Sequence, residues 1–331
     1  MQKKQNALLT VAAAATLLAA LTGCSQDSTT PATSADDAAG TTSAAADNGG
    51  EIPTVCLVVK SLANEYFQEM FKGAEEHETE LGTFKLDAQG IQNETDVDGQ
   101  IALVDSCITK GGDALVIAPA DSKALIPAAK KAAEAGLVVV NIDVPFDEAG
   151  LADVGLDLPF VGPDNTLGAQ EVGKLLADDL GDGGKVVILE GNPGAENAAQ
   201  RKAGFEEAIA AGNLDLIDSK TAHWETDEAN TVFASMLTAN PDIQGVFASN
   251  DSMALGVLKV IESQNADIKV VSIDNIPAIR QYLGAGVLLA TLDQFGSSQA
   301  NFGIDTAMDI LGGETITGWQ TTDLEVVTSA N

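Results

Sequence analysis

Short apolar runs rich in Val and Ile alternate along this chain with longer segments of helical periodicity. The runs are almost continuously apolar and cover residues 55–59, 114–118, 138–142, 186–189, 246–248 and 270–273. Strands buried on both faces of a parallel sheet have this composition. The helical segments cover residues 66–81, 123–135, 197–211, 251–263 and 296–311. Several end at a glycine in the position of a helix C-cap, among them Gly82, Gly136 and Gly212.

This alternation predicts an α/β fold in which parallel strands are joined by helical, right-handed crossovers. About ten such units are too many for one open sheet, so we expect two Rossmann-like lobes of similar build. Functional groups in such sheets lie beyond the carboxyl ends of the strands. The residues at those positions are mostly Asn, Asp and Gln, and none forms a glycine-rich phosphate loop of the GxGxxG or GxxxxGK[ST] type.

The N-terminus has the order of a secretory signal: Lys3 and Lys4, an apolar run over 7–22, and the residues LTGC at 21–24. The apolar run is shorter than the roughly 20 residues that span a bilayer. LTGC resembles a bacterial lipobox, whose cysteine, here Cys24, is lipidated and becomes the first mature residue. We therefore expect a signal peptide over 1–23. Since residues 27–50 are nearly all small or polar, we expect a lipid-anchored, disordered tether over 24–50.

The net charge of −32, from 17 basic and 49 acidic residues, excludes broad classes of partner. Nucleic-acid binding needs a basic surface, and anionic lipid would repel this chain, so we expect membrane attachment through the lipid anchor only. Besides Cys24, the cysteines are Cys56 and Cys107, whose apolar surroundings suit either two buried thiols or one disulfide. With no CxxC motif and two histidines, no metal site is expected.

Residues suited to catalysis are present without the context that catalysis requires. Neither His77 nor His223 belongs to a nucleophile motif such as GxSxG. Asp143, Asp251 and Asp274 follow strands and are available as a glycosidase pair, but hydrogen-bonding carboxylates have the same pattern. We therefore favour binding over catalysis and expect neither enzymatic activity nor a cofactor.

Five motifs occur in an order that resembles the ribose/galactose-type periplasmic binding proteins, the type I solute receptors of ABC sugar importers. They are KSLANEYF at 60–67, VNID at 140–143, RKAGF at 201–205, VFASNDSMALG at 246–256 and VSID at 271–274. The resemblance implies two lobes that close on a sugar about a three-stranded hinge, with crossings near 162–164, 294–296 and 322–324. Lobe 1 would then comprise 51–162 plus 295–322, and lobe 2 would comprise 163–294 plus 323–331.

The same resemblance implies a set of ligand-binding residues. Tyr66 and Phe67 on one lobe and Trp224 on the other would be aromatic walls, because flat rings pack against the C–H faces of sugars. The hydrogen-bonding groups would be Asn64, Asp143, Arg201, Asn250, Asp274 and Gln294, with Lys60, Asn141 and Asn197 as further candidates.

One position departs from the ribose receptors, which carry an arginine after the aspartate of the fourth strand. Here Val144 follows Asp143. The lost donor favours a ligand with a different oxygen pattern or less bulk, such as another pentose or an acyclic sugar alcohol.

The expected function is that of a monomeric, extracytoplasmic, lipid-anchored solute-binding protein. It would capture a monosaccharide or sugar alcohol, preferably of pentose size, by hinge closure and deliver it to the permease and ATPase subunits of an ABC importer. LacI-type repressors share this core, but a lipobox and tether stand here in place of their DNA-binding headpiece. A signalling receptor for an autoinducer-type or chemotactic sugar and a carbohydrate-active enzyme are the alternatives. Both a monoderm cell surface and a periplasmic membrane face fit the sequence.

Overall fold

The computed structural model describes residues 52–329. The expected signal peptide over 1–23, the tether over 24–50 and the lipidated Cys24 lie outside the described residues. Within residues 52–329, no helix has both the length and the apolar character that crossing a membrane requires.

Strands and helices alternate along the described chain as far as residue 311. The strands are β1 (Thr54–Ser61), β2 (Lys85–Ile91), β3 (Ala114–Ile117), β4 (Val138–Ile142), β5 (Phe160–Gly162), β6 (Lys185–Glu190), β7 (Asp215–Thr221), β8 (Gly245–Ala248), β9 (Lys269–Ile273), β10 (Leu288–Asp293), β11 (Trp319–Thr321) and β12 (Glu325–Val327). The helices are α1 (Glu65–Leu81), α2 (Val97–Lys110), α3 (Ile126–Glu134), α4 (Glu148–Val154), α5 (Asn165–Leu180), α6 (Glu196–Ala211), α7 (Thr226–Ala239), α8 (Asp251–Gln264) and α9 (Gly296–Leu311), with a 3₁₀ helix at Arg280–Tyr282.

The described strands form two six-stranded sheets that repeat one topology. The first sheet has the order β11-β5-β4-β3-β1-β2, and the second has the order β12-β10-β9-β8-β6-β7. Neighbouring strands are parallel except β10 and β12, which are antiparallel. By position in the sheet, β1 is equivalent to β6 and β4 is equivalent to β9. The expected α/β fold with two parallel sheets is confirmed.

The chain passes from one sheet to the other three times: after β5, after β10 and after β11. Helices α1–α3 and α9 pack with the first sheet, α4 packs against α3, and helices α5–α8 pack with the second sheet. We call the first sheet with α1–α4 and α9 the first half, and the second sheet with α5–α8 the second half.

The apolar runs of the sequence are central strands because helices cover both faces of each sheet. In β1, Val55, Leu57 and Val59 pack into one apolar cluster, while Cys56 and Val58 pack into another. Successive strand residues point to opposite faces, so both faces are buried and the run is continuous. The edge strand β2 reads KLDAQGI and is mostly half-buried. It therefore has no apolar run, and the sequence analysis does not predict it.

Capping residues determine where two site-bearing helices begin. The Asn64 side chain accepts a hydrogen bond from the backbone N–H of Tyr66 at the start of α1. Asn250 accepts in the same way from Met253 at the start of α8. Gly82 ends α1 in the left-handed conformation that the sequence predicts, with a φ of 62°.

One predicted helix boundary is wrong, and at another boundary, which is predicted correctly, the capping glycine has an ordinary backbone conformation. Helix α3 begins at Ile126 rather than at residue 123, because Asp121 accepts the N–H groups of Lys123 and Ala124 and stabilises a separate turn before the helix. Gly212 ends α6 with a φ of −85°, so this position does not use the freedom of glycine.

Cys56 and Cys107 form a disulfide, with their Cα atoms 6.1 Å apart. The bond joins β1 to α2 within the first half and closes a loop with a sequence separation of 51 residues. Of the two arrangements that the sequence allows, the structure therefore has the disulfide.

Candidate functional site

A cavity lies between the carboxyl ends of the two sheets. It is lined by Lys60, Asn64, Tyr66, Phe67, Glu94, Asp143, Asn197, Arg201, Trp224, Asn250 and Asp274. Each of these residues is at most 6% exposed. Residues up to 143 in this set belong to the first half and the others to the second, so both halves build the cavity. Ten of the twelve predicted ligand-binding residues line it, and their contact with a ligand stays a prediction.

Several cavity residues have backbone in the left-handed region, which is uncommon outside glycine. Asp143 follows β4 with a φ of 61°, and Asp274 follows the equivalent strand β9 with a φ of 125°. His223 and Trp224 are consecutive left-handed residues, with φ values of 48° and 70°. Such conformations cost free energy and persist where the surrounding structure enforces them, which is typical of functional sites.

Arg201 is at the centre of a hydrogen-bond network in the second half. Its Nε donates to Asn165 Oδ1, its Nη1 to the Ser249 carbonyl and its Nη2 to Gln294 Oε1, each at 2.8 Å. Gln294 Nε2 donates in turn to Asp274 Oδ1 at 2.6 Å. The same carboxylate oxygen lies 3.7 Å from Arg201 Nη1. The planar guanidinium and the Asp274 carboxylate are therefore held in place by protein groups alone.

The first half contributes a buried ion pair to the cavity. Lys60 Nζ lies 3.1 Å from Glu94 Oε2, and Asn64 Nδ2 donates to Glu94 Oε1 at 3.3 Å. Glu94 is not among the predicted residues, because it stands in the polar run QNETDVDG, where a buried carboxylate cannot be distinguished from a loop residue by sequence pattern. Its place after the carboxyl end of β2 is a usable signal, but only once β2 itself is recognised.

Aromatic rings from both halves face the cavity. Tyr66 and Phe67 pack edge to face, with ring centroids 5.3 Å apart. Lys60 Nζ lies 5.3 Å from the Phe67 ring centroid and 5.1 Å from that of Trp224, so the ammonium group interacts with rings of both halves. The Trp224 ring packs directly against Gly191, where an added Cβ would lie only 2.0 Å from it. Glycine at 191 therefore makes room for the indole.

Burial raises the pKa values of the carboxyl groups around the cavity. Desolvation raises the pKa of Asp143, and the charges of Lys60 and Arg201 oppose that rise. Desolvation also raises the pKa of Asp274 well above its ordinary value, against the effect of Arg201. Glu94 has a raised pKa because it is buried, although Lys60 lies beside it. Three carboxyl groups and two cations thus line the cavity, and this balance suits a neutral polar ligand better than an anion.

No group of three or more His, Cys, Asp or Glu side chains within residues 52–329 is arranged to hold a metal ion.

Asn64 and Asn250 cap helices as well as lining the cavity. Each side-chain oxygen is occupied by an N–H of its own helix. The Nδ2 group of Asn250 lies 3.5 Å from the carbonyl oxygen of Trp224, a long contact. Asn64 Nδ2 also donates to Glu94, so one N–H of Asn64 and the Nδ2 group of Asn250 are the donors that remain to bind a ligand.

Two of the predicted residues lie outside the cavity. Gln294 is 1% exposed and sits behind the lining, where it bridges the arginine and the aspartate of the second half. Asn141 Nδ2 donates to the Val144 carbonyl at 2.8 Å, and its Oδ1 accepts the N–H of Phe146 at 2.9 Å. Asn141 therefore shapes the loop after β4, and the buried Val144 side chain leaves the cavity without the arginine of the ribose receptors.

Apart from Glu94 Oε2, which forms the ion pair with Lys60, two buried polar atoms of the lining residues have no hydrogen-bond partner among the described residues: Asn197 Oδ1 and Trp224 Nε1. Leaving such an acceptor and such a donor unpaired costs free energy. A hydroxyl group can donate to one and accept from the other. A ligand with several hydroxyl groups would satisfy both atoms.

Comparison with known proteins supports this description. Residues 55–315 match the family described as "Periplasmic binding protein domain". The D-ribose/D-allose-binding protein of Pseudomonas aeruginosa is 46% identical over 268 residues, which cover 80% of this chain and 84% of that protein. The ribose import binding protein RbsB of Escherichia coli is 32% identical over 275 residues, which cover 83% and 90% of the two chains.

Solved structures agree in fold. An ABC transporter solute-binding protein from Burkholderia multivorans has a TM-score of 0.82 and 42% identity, covering 84% of this chain and 100% of that one. One from Actinobacillus succinogenes with bound D-allose has a TM-score of 0.78 and 35% identity, covering 84% and 98%. The resemblance seen in the sequence motifs is thus confirmed. This chain belongs to the periplasmic binding protein family.

Proposed function

We propose that this protein is an extracytoplasmic receptor that binds one monosaccharide between its two halves and delivers it to an ABC importer. The cavity itself carries the proposal, because it combines aromatic rings with carboxylate, amide and guanidinium groups from both halves. Aromatic faces suit the C–H surfaces of a sugar, and the polar groups suit its hydroxyls.

The relatives support an aldose of five or six carbons. The relative at 46% identity is named for D-ribose and D-allose, so we place these two sugars first. Structures at 35% and 29% identity contain D-allose and D-arabinose. A xylitol-binding protein of Mycolicibacterium smegmatis is 29% identical over 225 residues, which keeps the sugar alcohol suggested by Val144 as a candidate. The ligand size that we propose therefore includes hexoses as well as the pentoses expected from the sequence.

Hinge closure is the mechanism we propose. The moving bodies would be residues 51–162 plus 295–322 and residues 163–294 plus 323–331, joined at the three connections between the sheets. A sugar that contacts both bodies binds the closed arrangement more tightly than the open one and so shifts the population towards it. Asp143 and Asp274 would accept hydrogen bonds from sugar hydroxyls without transferring protons, so the sugar would leave unchanged.

The cellular setting follows from the N-terminal sequence. The LTGC motif supports lipidation at Cys24, which would hold the receptor at the outer side of the cell membrane. From there the closed, loaded form would present surfaces of both halves to the permease, whose ATPase subunits drive import. The strongly acidic chain gives no second, electrostatic attachment to anionic lipid.

Isothermal titration calorimetry tests the proposal with D-allose, D-ribose, D-arabinose, xylitol and myo-inositol. We expect one-to-one binding of at least one aldose with a Kd in the micromolar range or below. Asp274→Ala should abolish that binding, whereas Asp309→Ala, which removes an exposed aspartate on α9, should leave it unchanged. Absence of binding to every compound, or a new sugar product in the NMR spectrum of the incubated mixture, would contradict the proposal.

A further inference from the structure

Two glutamates, one in each half, accept a backbone hydrogen bond from the opposite half. Glu65, the first residue of α1, accepts the N–H of Ala278 through Oε2 at 2.9 Å. Glu225, just before α7, accepts the N–H of Glu94 through Oε1 at 2.9 Å. Neither glutamate is among the residues that line the ligand cavity. Each nevertheless directly adjoins an aromatic wall residue in the sequence.

The geometry of these glutamates is not explained by the helices that carry them. Glu225 stands at the N-cap position of α7, yet its side chain makes no capping hydrogen bond there. Its carboxylate is directed instead to the loop after β2 in the first half. Glu65 likewise bonds to the loop after β9 in the second half. Both carboxylates are half-buried, and a hydrogen bond to a charged acceptor is stronger than one between neutral groups.

A third contact between the halves is independent of the glutamates. The N–H of Ser122 donates to the Gly194 carbonyl at 2.8 Å. Ser122 Oγ accepts the N–H of Glu196, also at 2.8 Å. In the same region Asn192 Nδ2 donates to the Ala120 carbonyl at 3.1 Å. The halves therefore keep these hydrogen bonds when both glutamates are replaced, so the replacement changes the balance between open and closed forms without removing the interface.

We propose that Glu65 and Glu225 form a reciprocal latch that sets the fraction of closed protein without touching the ligand. When the closed fraction of a receptor falls, the apparent Kd of every ligand rises by the same factor. Because the latch residues adjoin Tyr66 and Trp224, closure and the placing of both aromatic walls occur together. The inference rests on the proposed sugar-binding function for its ligand readout, and the ligand-free arm of its test does not depend on that function.

The test uses the protein carrying Trp319→Phe, which leaves Trp224 as the sole tryptophan of the two in the sequence. Glu65→Ala/Glu225→Ala is compared with Glu75→Ala/Glu76→Ala, which removes two exposed carboxylates of α1 and matches the change in charge. We expect the latch variant to bind D-allose and D-ribose about tenfold or more weakly, by one common factor and through faster dissociation. Without sugar, its Trp224 emission should shift to the red as the ring meets water. Glu65→Gln/Glu225→Gln should restore most of the sugar affinity and most of the ligand-free Trp224 emission, because an amide oxygen still accepts a hydrogen bond.

Three results would overturn the latch. Affinities within twofold of the matched control, together with unchanged ligand-free emission, would show that the glutamates do not affect closure. Different factors for the two sugars would assign the glutamates to ligand recognition instead. If neither sugar binds the unaltered protein, the proposed ligand class is wrong. In that case, ligand-free Trp224 emission of the latch variant equal to that of the matched control would overturn the latch on its own.

Discussion

The two halves hold their cavity groups in different ways, although their sheets have the same strand order. In the second half, Arg201 makes three hydrogen bonds at 2.8 Å to groups of that half. In the first half, Asp143 accepts one long hydrogen bond, from Tyr66 Oη at 3.5 Å, and makes no salt bridge with a described residue. The equivalent aspartate of the second half, Asp274, is bonded through Gln294 to the arginine network. Equivalent positions in a repeated fold thus differ in their electrostatic support.

This difference suggests that the two halves contribute differently to ligand binding. A ligand arriving at the second half meets groups whose positions are already determined, which lowers the ordering cost of binding. In the proposed hinge closure, the first half would complete the site, and Asp143 would gain its hydrogen-bond donors from the ligand. Lys60 and Glu94 are the exception, because they neutralise each other before ligand arrives. The first half is also the one that carries the described disulfide.

The largest expected effect concerns that disulfide. In the chain-entropy description, removing a bond that closes a loop with a sequence separation of 51 residues costs about 4 kcal/mol. We expect Cys56→Ala/Cys107→Ala to lower the free energy of unfolding by that order in urea titrations. If the halves unfold separately, the loss should be confined to the transition of the first half. A loss below about 1 kcal/mol would show that the first half does not depend on its crosslink.

Replacing Arg201 tests the network of the second half. Arg201→Ala leaves Asn165 and Gln294 without their donor and Asp274 without its nearest cation. We expect sugar affinity to fall about a hundredfold, or nearly 3 kcal/mol, together with a lower melting temperature. Lys202→Ala removes the next residue of α6, which is partly exposed and paired with Glu190, and should change affinity less than threefold. Calorimetry and thermal unfolding measure both quantities, and equal effects of the two variants would refute the network's role.

The sequence predicts the strands and the residues directly after them because both depend on local pattern. A continuous apolar run such as that of β4 requires a strand with two covered faces, and Asp143 follows where that run ends. The ten predicted ligand-binding residues that line the cavity were implied by the resemblance of the five motifs, and some of them, such as Asp143 and Asp274, also directly follow predicted strands. The fold class and the edge of the sheet where the site forms are both available from the pattern.

What the sequence does not predict depends on contacts between distant segments. Glu94 becomes a buried partner of Lys60 only through the pairing of β1 with the half-buried strand β2. The left-handed backbone of Trp224 depends on the packing of its loop against Gly191, and the sequence around neither residue predicts this packing. Gln294 lies one layer behind the position predicted for it because Arg201 occupies its oxygen. None of these three features leaves a pattern in the neighbouring sequence from which it could be predicted.

The pH dependence of stability tests the buried carboxyl groups of the second half. Burial raises the pKa of Asp251 to about 7 against hydrogen bonds from Ser272, Thr291 and the N–H of Ile276. Between about pH 4 and pH 7 the folded state therefore binds a proton that the unfolded state has released, so stability falls as pH rises and levels off above pH 7. The slope for one proton is about 1.4 kcal/mol per pH unit, and we expect Asp251 to account for a loss of about 2.6 kcal/mol from pH 5 to pH 8.

Urea titrations at pH 5, 6, 7 and 8 measure this slope. Asp251→Asn should make the slope shallower by about one proton between pH 5 and pH 7, because the amide cannot take up the proton. The other buried carboxyl groups with raised pKa values, Asp143, Asp274 and Glu94, should keep the remaining slope negative. Asp153→Asn, at an exposed position on α4, should keep the slope of the unaltered protein. A stability that rises from pH 5 to pH 7 in the unaltered protein would contradict the assignment to a buried carboxyl with a raised pKa.

The smallest expected change in stability is that of Asp143→Asn, and it distinguishes Asp143 from the equivalent aspartate, Asp274, most directly. Asp143→Asn removes a buried charge whose pKa is raised by desolvation and which has one long hydrogen bond. At pH 8 we expect the ligand-free variant to be as stable as the unaltered protein or about 1 kcal/mol more stable, since a neutral amide costs less to bury. Its sugar affinity should nevertheless fall about tenfold, because charge-assisted hydrogen bonds to the ligand are lost. Asp274→Asn should lower both quantities, because its carboxylate is part of the arginine network. If the two variants lose stability equally, the first half holds its aspartate as firmly as the second, and Asp143 does not depend on the ligand for its partners.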